Sequence, residues 1–204
     1  MSRKLWFYIG FFIVLVLSFY VAMTKMLPGF GKVELPVLNK VQPFAFTNQA
    51  GRVITENDIK GKVAVVEYFF TTCKGICPKM NMNMQQVYNE LKTEPDFRIL
   101  SHTVDPETDS VSRLKEYAES LGADPQNWWF VTGSKDSLYT AARNSYLLDD
   151  PKNNNGSISE QFIHTQFFAL VDKKGRVRKI YDGLKKEELV EMRKDIAELL
   201  KDKG

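Results

Sequence analysis

Soft and borderline metal donors are scarce in this chain of 204 residues, which has two cysteines and two histidines. Both cysteines fall in Cys73-Lys74-Gly75-Ile76-Cys77-Pro78, and the histidines are His102 and His164. Ordinary dithiol oxidoreductases use Cys-x-x-Cys; this spacing is one residue wider. It leaves room for both sulfurs to point at one external atom. Two thiolates suit copper(I), and an added imidazole makes a three-donor site that also holds copper(II). Structural zinc sites use four protein ligands, for which this chain has few candidates. The plain alternative is a structural disulfide between Cys73 and Cys77. A lone histidine such as His164, taken by itself, is most simply a surface or core residue.

The elements around the pair point to a strand-to-helix turn. Val63 to Phe70 is an apolar run rich in β-formers and reads as a buried strand. Lys79 to Lys92 reads as a helix, with Pro78 where a first helical residue belongs. The thiols therefore sit at the positive end of a helix, which favours thiolate, and Lys74 and Lys79 act in the same direction. Ahead of this, Phe44–Thr47 and Arg52–Thr55 read as a hairpin. Beyond it come a strand from Arg98 to Val104 and a helix capped by Asp109 or Ser110. A short strand, Trp128–Val131, and a helix from Ser134 or Asp136 to about Asn144 follow. Asp149 to Ser159 is a polar loop, and His164 stands at the start of the next strand. Phe162–Asp172 and Arg176–Tyr181 read as a second hairpin, and Lys185–Lys203 as an amphipathic closing helix. The order hairpin, βα, βα, βα, ββα predicts a three-layer α/β domain with a mixed central sheet of thioredoxin-like type.

Leu5 to Met23 is free of charge, and at 1.5 Å per residue its nineteen residues reach roughly the ~30 Å of a bilayer core. Arg3 and Lys4 precede it and only Lys25 follows closely, which places the amino terminus in the cytoplasm and the domain outside. A cleaved signal peptide is the alternative. Its usual apolar core is shorter, and no clear Ala-x-Ala site follows here. The net charge of +3 belongs to this end of the chain. Removing Arg3, Lys4, Lys25 and Lys32 from 28 basic residues leaves 24 against 25 acidic ones, a balance of −1. No basic excess suggests a nucleic-acid partner.

Three separated stretches resemble the Sco/SenC family of membrane-anchored copper proteins that assemble cytochrome c oxidase. They are Tyr68 to Pro78, then Thr103-Val104-Asp105-Pro106-Glu107-Thr108-Asp109, then His164-Thr165 running into Leu170 to Gly175. The resemblance covers about residues 40–200 and implies a thioredoxin-like fold. It maps the family's copper ligands onto Cys73, Cys77 and His164. It implies one copper, Cu(I) or Cu(II), per domain, and as partners the copper-site subunit of a respiratory oxidase and a copper donor protein. Two departures stand out: Ile163 where the family often has an acidic residue, and Lys74 where it often has proline.

The expected organisation is a cytoplasmic tail and transmembrane anchor over 1–26, a linker over 27–42 and the copper-binding domain over 43–204. The protein is then single-pass in the inner (cytoplasmic) membrane. Its expected role is a metallochaperone rather than an enzyme; the alternative is a thiol–disulfide reductase acting on the oxidase subunit or other exported proteins. A thiol peroxidase would need an arginine beside Thr71 or Thr72, and none is placed there by sequence. Asp105 is a candidate supporting group near the ligands, equally readable as a turn residue before Pro106. His102, three positions earlier on a strand, points to the opposite face. Met80 and Met84 recur at helical spacing as core, leaving Met82 as the one thioether free to meet an ion.

Overall fold

The computed structural model describes residues 3–26, 35–149 and 165–202. The chain divides into two units, residues 1–35 and 36–204. In the first, helix α1 (Arg3–Met26) carries no buried side chain. Its Ser18 and Thr24 hydroxyls donate to the carbonyls of Leu15 and Val21, each at 2.9 Å, so the helix satisfies its own polar groups. It is long and apolar enough to cross a membrane.

The second unit is built on one eight-stranded sheet of order β1-β8-β7-β4-β5-β6-β2-β3. The strands are β1 (Asn39–Lys40), β2 (Ala45–Asn48), β3 (Val53–Thr55), β4 (Val63–Phe69), β5 (Phe97–Thr103), β6 (Trp128–Thr132), β7 (Phe167–Val171) and β8 (Arg176–Asp182). β4, β5 and β6 run parallel, and the remaining pairs are antiparallel. The parallel pairs are joined through helices α2 (Cys77–Leu91) and α3 (Val111–Ser120), as a crossover connection requires. α4 (Lys135–Ala141) runs on through a π-helical turn, Ala142–Tyr146, and α5 (Lys186–Lys201) closes the chain.

Every residue of β4 is buried, as expected for a central strand covered on both faces. On one face Ala64, Val66 and Tyr68 pack with Phe46, Leu100 and the Leu138–Tyr146 region. On the other, Phe69 and Phe130 meet Tyr117 of α3, and Trp128 meets Tyr88 of α2. The result is the expected three-layer, thioredoxin-like arrangement. Ser110 and Ser134 are the helix caps, accepting from Arg113 N and Ser137 N. On α5, Leu189, Met192, Ile196 and Leu199 are buried, as their spacing predicts.

Three elements differ from expectation. β1 lies in the stretch read as linker: Leu38 N and Val41 N donate to Val177 O and Gly175 O, and Val41 is buried. β7 begins at Phe167, with Thr165 and Gln166 outside any strand, while the expected start at Phe162 lies outside the described residues. The helix expected to end near Asn144 finishes as the π-helical turn, with Leu147 beyond it at φ 58°.

Candidate metal and thiol site

The parallel strands end together, and connections leaving their carboxyl ends are where α/β sheets build sites. The cysteine turn leaves β4 there. Cys73 N bonds Phe70 O at 3.2 Å, closing the turn, and Cys77 opens α2 with Pro78 behind it. Cys73 is half-buried and Cys77 buried at 5% exposure; both are free thiols.

The two thiols influence each other's ionisation and are electrostatically unequal. Burial alone would raise the Cys73 thiol. The Cys77 thiol and the backbone N–H groups of Cys77, Gly75 and Ile76 outweigh it, and Cys73 ends below its ordinary value. The last of these lie at the start of α2, where unsatisfied N–H groups concentrate. The thiolate is therefore favoured by the helix end, while Lys74 and Lys79 stay exposed outside this set. Burial, the neighbouring Cys73 thiol and the charge of Glu67 push the Cys77 thiol up to about 12. One thiol is thus poised to react or bind first, from the solvent side, and the other waits behind it.

β7 is antiparallel to β4, so its first residues lie at the end of the sheet where β4 finishes. Thr165 is buried there, and Gly183 N bonds Gln166 O at 2.7 Å. Asn83 Nδ2 of α2 donates to Gly183 O at 2.7 Å, which ties the cysteine helix to the approach of β7. His164 lies outside the described residues, as does the loop 150–159. Among the described residues no group of three His, Cys, Asp or Glu side chains is gathered for a metal.

Asp105 follows β5. Its N–H donates to Thr103 Oγ1 at 2.9 Å and its carbonyl accepts from the N–H groups of Thr108 and Asp109. These are turn contacts, and among the described residues none reaches its carboxylate. The next aspartate, Asp109, is the one that Thr71, at the entry to the cysteine turn, hydrogen-bonds, and it is 1% exposed. Arg113 Nε donates to Thr71 Oγ1 at 2.6 Å, so an arginine does stand beside Thr71, which sequence spacing did not reveal. That hydroxyl is already engaged, because it donates to Asp109.

Beneath the cysteines lies a buried polar group that sequence reading passed over. Glu67 sits in the middle of β4 and is fully buried. Its Oε1 accepts from Ser101 Oγ at 2.5 Å, Ser101 Oγ accepts from Trp128 Nε1 at 2.8 Å, and Glu67 Oε2 has no partner among the described residues. Burial raises the carboxyl to about 7 despite the bond from Ser101. Tyr117 is raised to about 12 by burial and by the charges of Glu67, Cys77 and Cys73, against the bond from Asn81 Nδ2. A charged residue inside a strand that must be covered on both faces was the available signal.

His102 faces the opposite side of the sheet, fully buried against Phe46, Tyr68 and Tyr146. Met80 and Met84 are core, and Met82 is 58% exposed, as the spacing predicts.

Comparison with known proteins agrees with this geometry. The family model SCO1/SenC matches residues 34–201. The SCO1 protein homolog of Bacillus subtilis is 34% identical over 160 residues, covering 76% of this chain and 80% of that protein. The solved structure of BsSco, described as a member of the Sco family of cytochrome c oxidase assembly proteins with a disulfide switch, superposes with a TM-score of 0.70. It is 32% identical and covers 84% of this chain and all of its own. Bradyrhizobium japonicum ScoI, solved with copper bound, shares the fold at 22% identity and a TM-score of 0.62, over 78% of this chain and 99% of its own. This chain belongs to the SCO1/SenC family.

Proposed function

We propose that this protein carries one copper ion as cargo on Cys73, Cys77 and His164, and delivers it to the dinuclear copper site of a respiratory oxidase. The observation that carries the reading is the unlinked cysteine pair, one thiol favoured as thiolate and half-exposed, the other buried beside it. Two adjacent sulfurs are the donors copper(I) prefers, and binding them displaces both thiol protons. Copper bound to the B. japonicum relative supports the choice of ion. Thr165, the residue that follows His164 in sequence, is buried at the end of the sheet where the cysteine turn leaves β4, which supports His164 as the third ligand. His164 supplies the imidazole that copper(II) needs. A copper donor protein loads the site, and a three-ligand site on a turn can release its ion again.

α1 serves as a single-pass anchor in the inner (cytoplasmic) membrane. Arg3 and Lys4 keep the amino terminus in the cytoplasm and the domain is exported. Residues 1–26 are then tail and anchor. Asp105 shapes the turn beside the site without ligating.

A second reading has its own observation. The unequal thiols, and the disulfide switch of BsSco, fit a thiol–disulfide reductase. The Cys73 thiolate would attack a target disulfide, releasing one target thiolate and forming a mixed disulfide. Cys77 would then displace the second target thiolate, leaving Cys73–Cys77 oxidised and the target reduced by two electrons. Oxidase assembly in cells lacking the protein separates the two. Metallochaperone action predicts that His164→Ala fails to restore oxidase activity although both thiols remain, and that added copper partly relieves the defect. Full rescue by His164→Ala, with none by Cys73→Ser, would give the reductase reading first place.

A further inference from the structure

Asp109 is an odd residue to bury. It is 1% exposed, it is far from Thr71 in sequence, and it accepts three hydrogen bonds from two other segments. Thr71 gives two of them, through its N–H to Oδ2 at 3.2 Å and through its hydroxyl to Oδ1 at 2.5 Å. Thr103, the last residue of β5, gives the third, its hydroxyl donating to Oδ2 at 2.5 Å. Arg113 completes the charge balance, with Nε 3.8 Å from Oδ1 and 2.6 Å from Thr71 Oγ1. Hydrogen bonds to an ionised acceptor are the stronger kind, and a buried carboxylate persists only when its lone pairs are used.

What this carboxylate grips matters more than its own stability. Residue 71 is where the chain leaves β4 for the cysteine turn, and Cys73 follows two residues later. We infer that Asp109 is a positioning residue for the cysteine pair: by holding Thr71 against the end of β5, it fixes the take-off of the turn and so keeps the Cys73 sulfur beside Cys77. It touches neither sulfur and acts through Thr71. The inference rests on the cysteine turn being the working site proposed above. Two processes depend on the sulfurs staying adjacent, chelation of copper(I) and closure of the intramolecular disulfide. Both are second contacts made at an effective concentration set by how tightly the turn is held. Loosening the clamp should weaken both by similar factors.

The test uses the full chain in detergent micelles. The metal-free protein is equilibrated with glutathione, in which dithiol plus oxidised glutathione gives protein disulfide plus two reduced glutathiones. Copper(I) affinity is measured separately by competition with a chromophoric chelator. Asp109→Asn keeps the shape but replaces one acceptor oxygen with a donor facing donors. It should lower both constants about tenfold, a shift of ~30 mV in the couple towards the oxidising side. Thr71→Val should do the same, and the double variant should fall well short of a hundredfold, because both changes cut one link. An Asp109→Asn protein that melts normally and keeps both constants within twofold of wild type overturns the inference. If Asp109→Asn does not fold, Thr71→Val within twofold on both constants overturns it equally. The glutathione measurement is independent of copper, so a wild-type protein that binds no copper would remove the proposed cargo and still leave the clamp tested.

Discussion

Glu67→Gln should change how stability responds to pH, by an amount the structure sets. In the folded protein burial lifts the Glu67 carboxyl to about 7, from an ordinary value of 4.5. Between those values the folded state keeps a proton that the unfolded state has lost. The associated stability is full below pH 4.5 and is lost as pH rises through 7. At about 1.4 kcal/mol per unit this amounts to about 3 kcal/mol. His102 works the other way. Burial pushes its imidazole down to about 3 from 6.5, so its contribution is present above pH 6.5 and drains away as pH falls towards 3. From pH 4.5 to 6.5 these two slopes oppose and nearly cancel each other. Glutamine keeps an oxygen for Ser101 and cannot ionise, so it removes only the Glu67 slope. Relative to wild type, the variant should gain stability with rising pH at about 1.4 kcal/mol per unit over that window. The difference between variant and wild type should move by about 3 kcal/mol from pH 4.5 to pH 8. Urea unfolding of the full chain in micelles reads this through the buried Trp128 and Trp129. A difference constant to within about 0.5 kcal/mol would show that Glu67 does not titrate in the folded state, against the roughly 1.4 kcal/mol per unit that linkage requires.

Other expectations are more local. His164→Ala should weaken copper(II) binding more than copper(I), since two thiolates already suit the latter; an unchanged copper(II) absorption spectrum would remove His164 from the site. A Cβ on Gly183 would come within 2.6 Å of the Phe168 ring and 2.9 Å of Gln166 O, so Gly183→Ala should lower the melting temperature and loosen the tie between α2 and β7; a melting curve superposing on wild type would contradict that packing. Met84→Ala, in the core, should cost about 2–5 kcal/mol, while the exposed Met82→Leu should leave stability unchanged; urea unfolding of the two variants compares them. Protease applied outside the inner membrane should digest the domain, and its protection there would reverse the proposed topology.

Much of the fold was legible because local signals agreed with tertiary ones. Val63 to Phe69 is a run of β-formers and became the central strand; Pro78 and the Ser caps marked helix starts that the structure keeps. The cysteine pair was legible because its members are near neighbours in sequence. What stayed hidden is long-range. Asn39–Lys40 has no strand pattern of its own and pairs only because β8 offers an edge. The π-helical turn before Leu147 has no periodic signature. Asp109, Thr71 and Thr103 meet through the sheet, and no spacing in the chain announces it. Asp105 was readable both as a supporting group near the ligands and as a turn residue before Pro106; the buried carboxylate that Thr71 hydrogen-bonds is four residues further on.

The central claim is that Cys73 and Cys77 act together as the seat of one copper ion. Titrating the fully reduced chain with copper(I) against a chromophoric chelator measures this directly. The account predicts one tightly held equivalent in the wild type, lost on either Cys73→Ser or Cys77→Ser, because a hydroxyl is a poor soft ligand. No tight binding in the wild type, or a full equivalent retained after either serine substitution, would contradict it.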